Sequence, residues 1–309
     1  MQNKFVVTGG AGFIGSHLVE ALINKGAKVT VIDNLATGYI GNLDQIRDRI
    51  EFIEADINDT ADVVRAMRDA DTVFHLAAIP SVPRSIDDPV PSHRANIDGT
   101  FSVLLAARDA GVRRVVYSGS SSAYGDSPAG LKREELPPAP KSPYALQKLT
   151  GELYTLQFDA HFGVQGVVLR YFNIFGPRQD PNSPYAGVIA LFIKLMKAGR
   201  QPRINGDGTI TRDFTYVDNA VALNIKAATV PEARGKVFNA ACGTSFTLNE
   251  LVGVINKVLG SSVVPTYGPE RAGDIRASQA DISRARRILA YHPSISFEDG
   301  IRRTILSFD

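Results

Sequence analysis

Short apolar runs alternate with longer mixed stretches through the first half of the chain. Lys4–Val7 reads as a buried strand, and helical spacing follows from about Ser16 to Lys25. Lys28–Ile32 is a second strand and Glu51–Glu54 a third, the latter followed by a helix over about Asp59–Arg68. Thr72–Leu76 is a continuous apolar strand, Ala95–Ala110 is helical, and Arg114–Tyr117 is again a buried strand. Ser142 suits an N-cap and Pro143 a first helical position, so the pattern predicts a helix over Pro143–Phe162, with a strand at Gln165–Arg170. Strands apolar on both faces, separated by helices, predict an α/β fold with a parallel, doubly wound sheet.

The texture changes beyond Tyr171. Phe175–Tyr185 is rich in Pro, Asn and Asp, and Asn205–Thr211 is a Gly-rich turn. Short strands are predicted at Thr215–Val217, Lys236–Asn239 and Val263–Thr266. Helices are predicted at Ala186–Ala198, Val217–Ala228, Thr247–Leu259 and Ile282–Leu289. The expected division is a sheet domain over 1–170, completed by about 214–241, and a smaller mixed α/β lobe over 171–213 and 242–309. Ligand is expected between the lobe and the carboxyl ends of the strands.

The first turn says what kind of ligand that is. Between strand and helix stands Thr8-Gly9-Gly10-Ala11-Gly12-Phe13-Ile14-Gly15. Gly10, Gly12 and Gly15 fit the dinucleotide-binding spacing, and Gly9, Gly12 and Gly15 a wider variant. A Cβ here would keep the backbone from a pyrophosphate, for which the helix N-terminus supplies amides and a positive dipole. Asp33 ends the second strand about 20 positions on, where an acid binds ribose hydroxyls. The sheet is therefore read as Rossmann-type. No arginine directly follows Asp33, and a carboxylate repels a 2′-phosphate, which favours NAD over NADP.

Composition narrows the remaining classes. A net charge of +2 over 34 basic and 32 acidic residues gives no footprint for nucleic acid or a membrane surface. The single cysteine, Cys242, excludes an intrachain disulfide and suits a reducing cytoplasm. No apolar run reaches about 18 residues, and the first strand begins too early for a signal peptide. The five histidines are scattered without ligand spacing, so no metal site is expected.

Two further motifs carry chemistry. Tyr144 and Lys148 share one helix face at i and i+4. An ammonium beside a phenol favours phenolate, and a nicotinamide cation adds to that, so the pair is expected to be an acid/base tuned below the usual tyrosine value of about 10. Ser118 to Gly125 holds four serines directly after a strand, where carboxyl-end loops of parallel sheets present reactive side chains.

Taken together, the chain resembles an extended short-chain dehydrogenase/reductase, specifically the nucleotide-sugar 4-epimerase group typified by UDP-glucose and UDP-N-acetylglucosamine 4-epimerases. The resemblance runs nearly end to end. It rests on Thr8 to Gly15, Asp33-Asn34, Asp56-Ile57, His75 to Ala78, Ser120 to Gly125, Tyr144 to Lys148, Arg170 to Asn173 and Arg212-Asp213. It implies that Tyr144 takes the C4 hydroxyl proton while hydride passes from C4 to NAD. The 4-keto sugar then turns and receives the hydride on its other face. Lys148 would bind the nicotinamide ribose, and Ser120 the C4 oxygen. Gly9, Gly12, Phe13, Ile14 and Gly15 would face the cofactor diphosphate, Asp33 and Asn34 the adenosine ribose, and Asp56 and Ile57 the adenine. Leu76, Ala77, Ala78, Asn96 and Ser118 would line the cofactor cleft, with Tyr171 near the nicotinamide. On the sugar side the resemblance implies Ser120, Ser121, Ser122, Phe172, Asn173, Gly187, Val188, Arg212, Arg271, Asp274 and Ser278. Arginine forks suit the diphosphate.

Related dehydratases carry acids after the catalytic hydroxyl, and decarboxylases a glutamate at the second position; here Ser121 and Ser122 stand instead. Ser278 matches the gate for bulky C2 groups and leaves room for N-acetyl, although Pro80 and Gly187 depart from the N-acetyl-preferring pattern. The alternatives are a UDP-glucuronate 4-epimerase, needing a cation such as Arg84 or Arg178, and a non-catalytic NAD-binding protein, which the intact Tyr144/Lys148 pair argues against. The resemblance also implies a homodimer packed through Ala95–Ala110 and Pro143–Phe162.

Overall fold

The computed structural model describes residues 4–126, 130–182, 187–270 and 277–308. Seven parallel strands form the main sheet: β1 (Lys4–Thr8), β2 (Lys28–Asp33), β3 (Glu51–Glu54), β4 (Thr72–His75), β5 (Arg114–Ser120), β6 (Gln165–Tyr171) and β7 (Lys236–Ala240). Their order is β7-β6-β5-β4-β1-β2-β3, so the strand order reverses between β1 and β4. Ligands of open α/β sheets bind at that reversal.

Successive side chains alternate between two apolar cores. Phe5 and Val7 of β1 pack with helices α1 (Phe13–Asn24) and α5 (Val217–Thr229) on one face. Val6 packs on the other with α2 (Thr60–Met67), α3 (Gly99–Asp109) and Phe158 of α4 (Pro143–Phe162). Helices on both faces explain why the strands are apolar throughout. The parallel, doubly wound Rossmann-type fold expected from the sequence is the observed one.

The helix α4 runs over the predicted span. Ser142 accepts from the Ala145 N–H at 3.1 Å, Pro143 opens the helix, and Gly163 closes it at φ 73°. The predicted helix Ala95–Ala110 is different: Arg94–Asp98 is a π-helical turn, with α3 beginning only at Gly99.

A second, four-stranded sheet is ordered Phe246–Thr247, Thr211–Arg212, Ala277–Ala280 and Leu131–Lys132. Its last strand comes from the stretch just after β5, which the sequence reading had placed with the main sheet. The buried carboxylate of Asp213 fastens this region. It accepts from the Cys242 N–H at 3.0 Å, the Gly243 N–H at 2.9 Å and the Ala280 N–H at 3.2 Å. Burial nevertheless pushes its pKa up to about 6. The strand expected at Val263–Thr266 lies slightly later, at Thr266–Gly268. No described helix is long and apolar enough to cross a membrane.

Candidate active site

A cleft of about 1230 Å³ opens along the carboxyl ends of β1, β2, β4, β5 and β6 and extends to the second sheet. It exceeds the usual 300–1,000 Å³ or so of a site for one small ligand. The glycine turn forms part of its wall. Gly9 has φ 71°, and a Cβ there would stand 2.7 Å from the Ala77 nitrogen. A Cβ on Gly15 would collide with the Gly9 carbonyl. Helix α1 starts with no side-chain cap, and Gly12, Phe13, Ile14 and Gly15 line the cleft. Its first amides therefore lack intrahelical partners and suit an anionic diphosphate.

Asp33, at the end of β2, has both carboxylate oxygens engaged at 2.9 Å, by the N–H groups of Ala11 and Leu35. Burial raises its pKa, against these two bonds. Beyond it, the Asn34 amide donates to Asp56 at 3.0 Å, and Ile57 lies alongside in the cleft wall. Burial works to raise the Asp56 pKa, but hydrogen bonds from Asn58 and Asn34 outweigh it and the net shift is downward. Leu76, Ala77 and Ala78 form the next part of the wall. The uncapped helix end, the bare turn and the carboxylate fit a dinucleotide such as NAD. No group of residues able to hold a metal occurs among the described residues.

The cleft also gathers several hydroxyls. Strand β5 continues past the predicted Tyr117, so Ser118 and Ser120 are fixed by pairing with Leu169 and Tyr171 of β6. Ser118 donates to the Tyr171 hydroxyl at 3.2 Å, and Asn224 of α5 donates to the same oxygen at 2.7 Å. Ser120 Oγ accepts from the Ser122 N–H at 3.1 Å and from the Ser122 hydroxyl at 2.8 Å. Ser121, Ser122, Tyr144 and Lys148 line the same space.

The pair is not tuned as the sequence led us to expect. Burial raises Tyr144 to about 12, and a hydrogen bond with Ser120 only partly offsets it. Burial also lowers Lys148 to about 7, and its ammonium lies 4.5 Å from the centre of the Tyr117 ring. Desolvation sets both shifts in the protein alone.

Asn173, Gly187, Arg212 and Ser278 also line the cleft. Arg212 and Ser278 are register partners on adjacent strands of the second sheet. Asn173 has φ 31°, in the left-handed region that asparagine tolerates better than most residues. Arg271 and Asp274 lie outside the described residues.

Three expected contacts are not brought to the cleft. Phe172 is fully buried in the core, 6.1 Å from the Tyr124 ring, because the residue after β6 faces inward. Val188 packs against the apolar core at the first turn of its helix. Asn96 is buried behind the wall, accepting from the Ile79 N–H at 2.8 Å. Of the two candidate arginines, Arg84 lines the cleft, whereas Arg178 pairs with Glu20 at 2.6 Å and does not.

The sequence reading missed Gln179 and Lys132, both in the cleft wall. The Gln179 side-chain oxygen is buried without a partner among the described residues, next to Gly187. A polar residue after Gly-Pro-Arg in a Pro-rich loop was the only available signal. It also missed Gln147, whose side-chain oxygen accepts from the Asn96 amide at 2.8 Å.

Residues 5–241 match the model of the NAD dependent epimerase/dehydratase family. The UDP-glucose 4-epimerase of Mycolicibacterium smegmatis is 39% identical over 99% of this chain and 98% of its own. The UDP-N-acetylglucosamine 4-epimerase of Methanobrevibacter ruminantium, solved with UDP-N-acetylmuramic acid, superposes at TM-score 0.95. It is 42% identical over 100% of this chain and 99% of its own. The UDP-glucose 4-epimerase of Thermotoga maritima, solved with UDP-glucose, gives 0.92 at 37% identity over 99% and 98%.

Proposed function

This chain belongs to the NAD dependent epimerase/dehydratase family, and on that premise we propose that it is an NAD-dependent UDP-hexose 4-epimerase. It interconverts UDP-Glc with UDP-Gal, and UDP-GlcNAc with UDP-GalNAc, through a 4-keto intermediate. The observation that carries this is that one cleft is lined by three sets of residues. They are the uncapped glycine turn, the Ser120, Tyr144 and Lys148 group, and Arg212 with Ser278.

Bound NAD supplies the hydride acceptor and donor for the sugar C4. The Tyr144 phenolate oxygen takes the C4 hydroxyl proton and later returns it. Ser120, held by β5, hydrogen-bonds the same oxygen and steadies the keto form. Lys148 would hold the cofactor through a ribose hydroxyl. Tyr144 at about 12 is largely protonated at neutral pH in the protein alone, and a positive charge beside it would favour the phenolate. Arg212 meets the UDP diphosphate, and Ser278 leaves space at C2. Neutral Ser121 and Ser122 give no acid or base for elimination.

The reading includes a homodimer and a place in galactose and nucleotide-sugar metabolism. Phe101 of α3 and Leu146, Leu153, Tyr154 and Phe162 of α4 are exposed apolar residues on the two helices expected to pair. The test is to offer UDP-Glc, UDP-GlcNAc and UDP-GlcA side by side and identify the products. C4 epimers of the first two support the assignment, with NAD returned rather than consumed. Epimerisation of UDP-GlcA alone, or stoichiometric NADH release, overturns it.

A further inference from the structure

We infer that Gln147 is a positioning residue that locks the helix bearing Tyr144 and Lys148 to the cleft-wall loop around Ile79; this rests on the functional reading above. Gln147 lies between the two reactive residues in sequence but does not line the cleft, and it is 4% exposed. Its side-chain oxygen accepts two hydrogen bonds at 2.8 Å, from the Ser92 hydroxyl and from the Asn96 amide.

Asn96 passes the constraint on. Its own side-chain oxygen accepts from the Ile79 N–H at 2.8 Å, and its amide also donates to the Ile79 carbonyl at 3.2 Å. Ile79 and its neighbours Ala78 and Pro80 are cleft wall. Asn96 is held from behind as well. The Ala77 N–H donates to Thr8 Oγ at 3.3 Å, and the Thr8 hydroxyl meets His75 Nδ1 at 2.7 Å. His75 Nε2 meets the Thr100 hydroxyl at 3.0 Å, and that hydroxyl donates to the Asn96 carbonyl at 2.8 Å. Burial, with the nearby Lys148 charge, lowers His75 to about 3, so the ring stays neutral, with one nitrogen donating and the other accepting.

The π-helical turn at Arg94–Asp98 is the second, independent sign. Such turns give up regular helix bonding and occur often at functional sites. Here the turn carries Asn96 at its centre. One acceptor on α4 thus ties the acid/base helix, through a buried amide, to the wall beside it. A misplacement of that helix by about 1 Å costs up to about a hundredfold in turnover without loosening substrate.

The experiment compares Gln147→Leu with Gln147→Glu in the NAD-bound protein. Leucine fills the space and removes the acceptor; glutamate keeps an acceptor oxygen in place. Gln147→Leu is expected to lose about tenfold to a hundredfold in kcat with KM for UDP-Glc unchanged, and Gln147→Glu to stay near wild type. Amide exchange at Ile79 is expected to quicken about tenfold in the leucine variant only. A purely space-filling role predicts the reverse order, leucine tolerated and glutamate harmful, and that result overturns the inference. Equal losses in both variants, or an unmoved Ile79 amide, overturn it too. If the leucine variant does not fold, Ser92→Ala removes one donor from the opposite side, and an unchanged kcat there is equally fatal. Wild type that turns over no UDP-hexose overturns the functional reading instead, and Ile79 exchange alone then decides this one.

Discussion

Ser278→Tyr should convert a permissive site into one that accepts only the smaller sugars. Ser278 is 8% exposed, and it lines the cleft. Its backbone has little freedom: it is paired with Arg212 across the second sheet, and its carbonyl accepts from the Asp213 N–H at 2.7 Å. A tyrosine ring at this position therefore enters the cleft rather than swinging into solvent. The ring is about as bulky as an acetamido group, and overfilling a packed space costs about 1–3 kcal/mol. That corresponds to about a five- to 150-fold fall in kcat/KM. The fall belongs to UDP-GlcNAc and UDP-GalNAc, because a C2 hydroxyl leaves the space open. UDP-Glc and UDP-Gal should stay within about twofold, the scatter of a substitution that meets nothing. The assay is kcat/KM on UDP-Glc and UDP-GlcNAc, with products separated chromatographically. An unchanged ratio between the two substrates would refute the reasoning, whether both rates fell or neither did.

Three other outcomes follow from the geometry. Tyr144→Phe should keep the fold and NAD binding but lose epimerisation by about a hundredfold or more, the range for a removed general base; near-normal turnover would sink the mechanism. Gly15→Ala should abolish NAD binding or lower the melting temperature, since its Cβ meets the Gly9 carbonyl and lies 2.8 Å from the Gly10 Cα; titration with NAD and thermal melts read both. In cofactor-free protein, Lys148 sits at about 7, below its unfolded value of about 10.5. Between these values the unfolded chain holds a proton that the folded one does not, so this contribution makes stability rise with pH across that window. Urea midpoints at several pH values should show a shallower rise in Lys148→Met, and an identical slope in both proteins would count against a neutral buried lysine.

How much of this was readable beforehand depended on whether the signal was local. Helix α4 was legible end to end because capping and breaking residues, Ser142, Pro143 and Gly163, are all local chemistry. The seven long strands were legible from apolar runs. The strands Thr211–Arg212 and Leu131–Lys132 have two residues each, too few for any period, and are defined by the strands they pair with, Ala277–Ala280 for both and Phe246–Thr247 for the first. Helix Phe297–Leu306 went unread although Ser296 caps it and Glu298 and Asp299 fill its first turn. In the site, motif spacing found the glycine turn, Asp33 and the Tyr144/Lys148 face. It did not show that Asn96 turns inward, because a π-helical turn shifts the helical register by one residue. Nor could spacing report that burial moves Tyr144 up and Lys148 down, since desolvation is set by the whole fold.

The carboxylate of Asp33 holds the N–H groups of Ala11 and Leu35, one on each oxygen. It is thus a strut of the glycine turn as well as a carboxylate in the cleft wall. Replacing it to admit a phosphorylated ribose would release the Ala11 amide and the bend at Leu35, whose φ is 57°, together with the charge. Selection for a different nicotinamide cofactor therefore has to rebuild the turn and the ribose contact at once. A one-step exchange at this position would weaken both cofactors before it favoured either, so the preference for NAD is protected by architecture as well as by electrostatics.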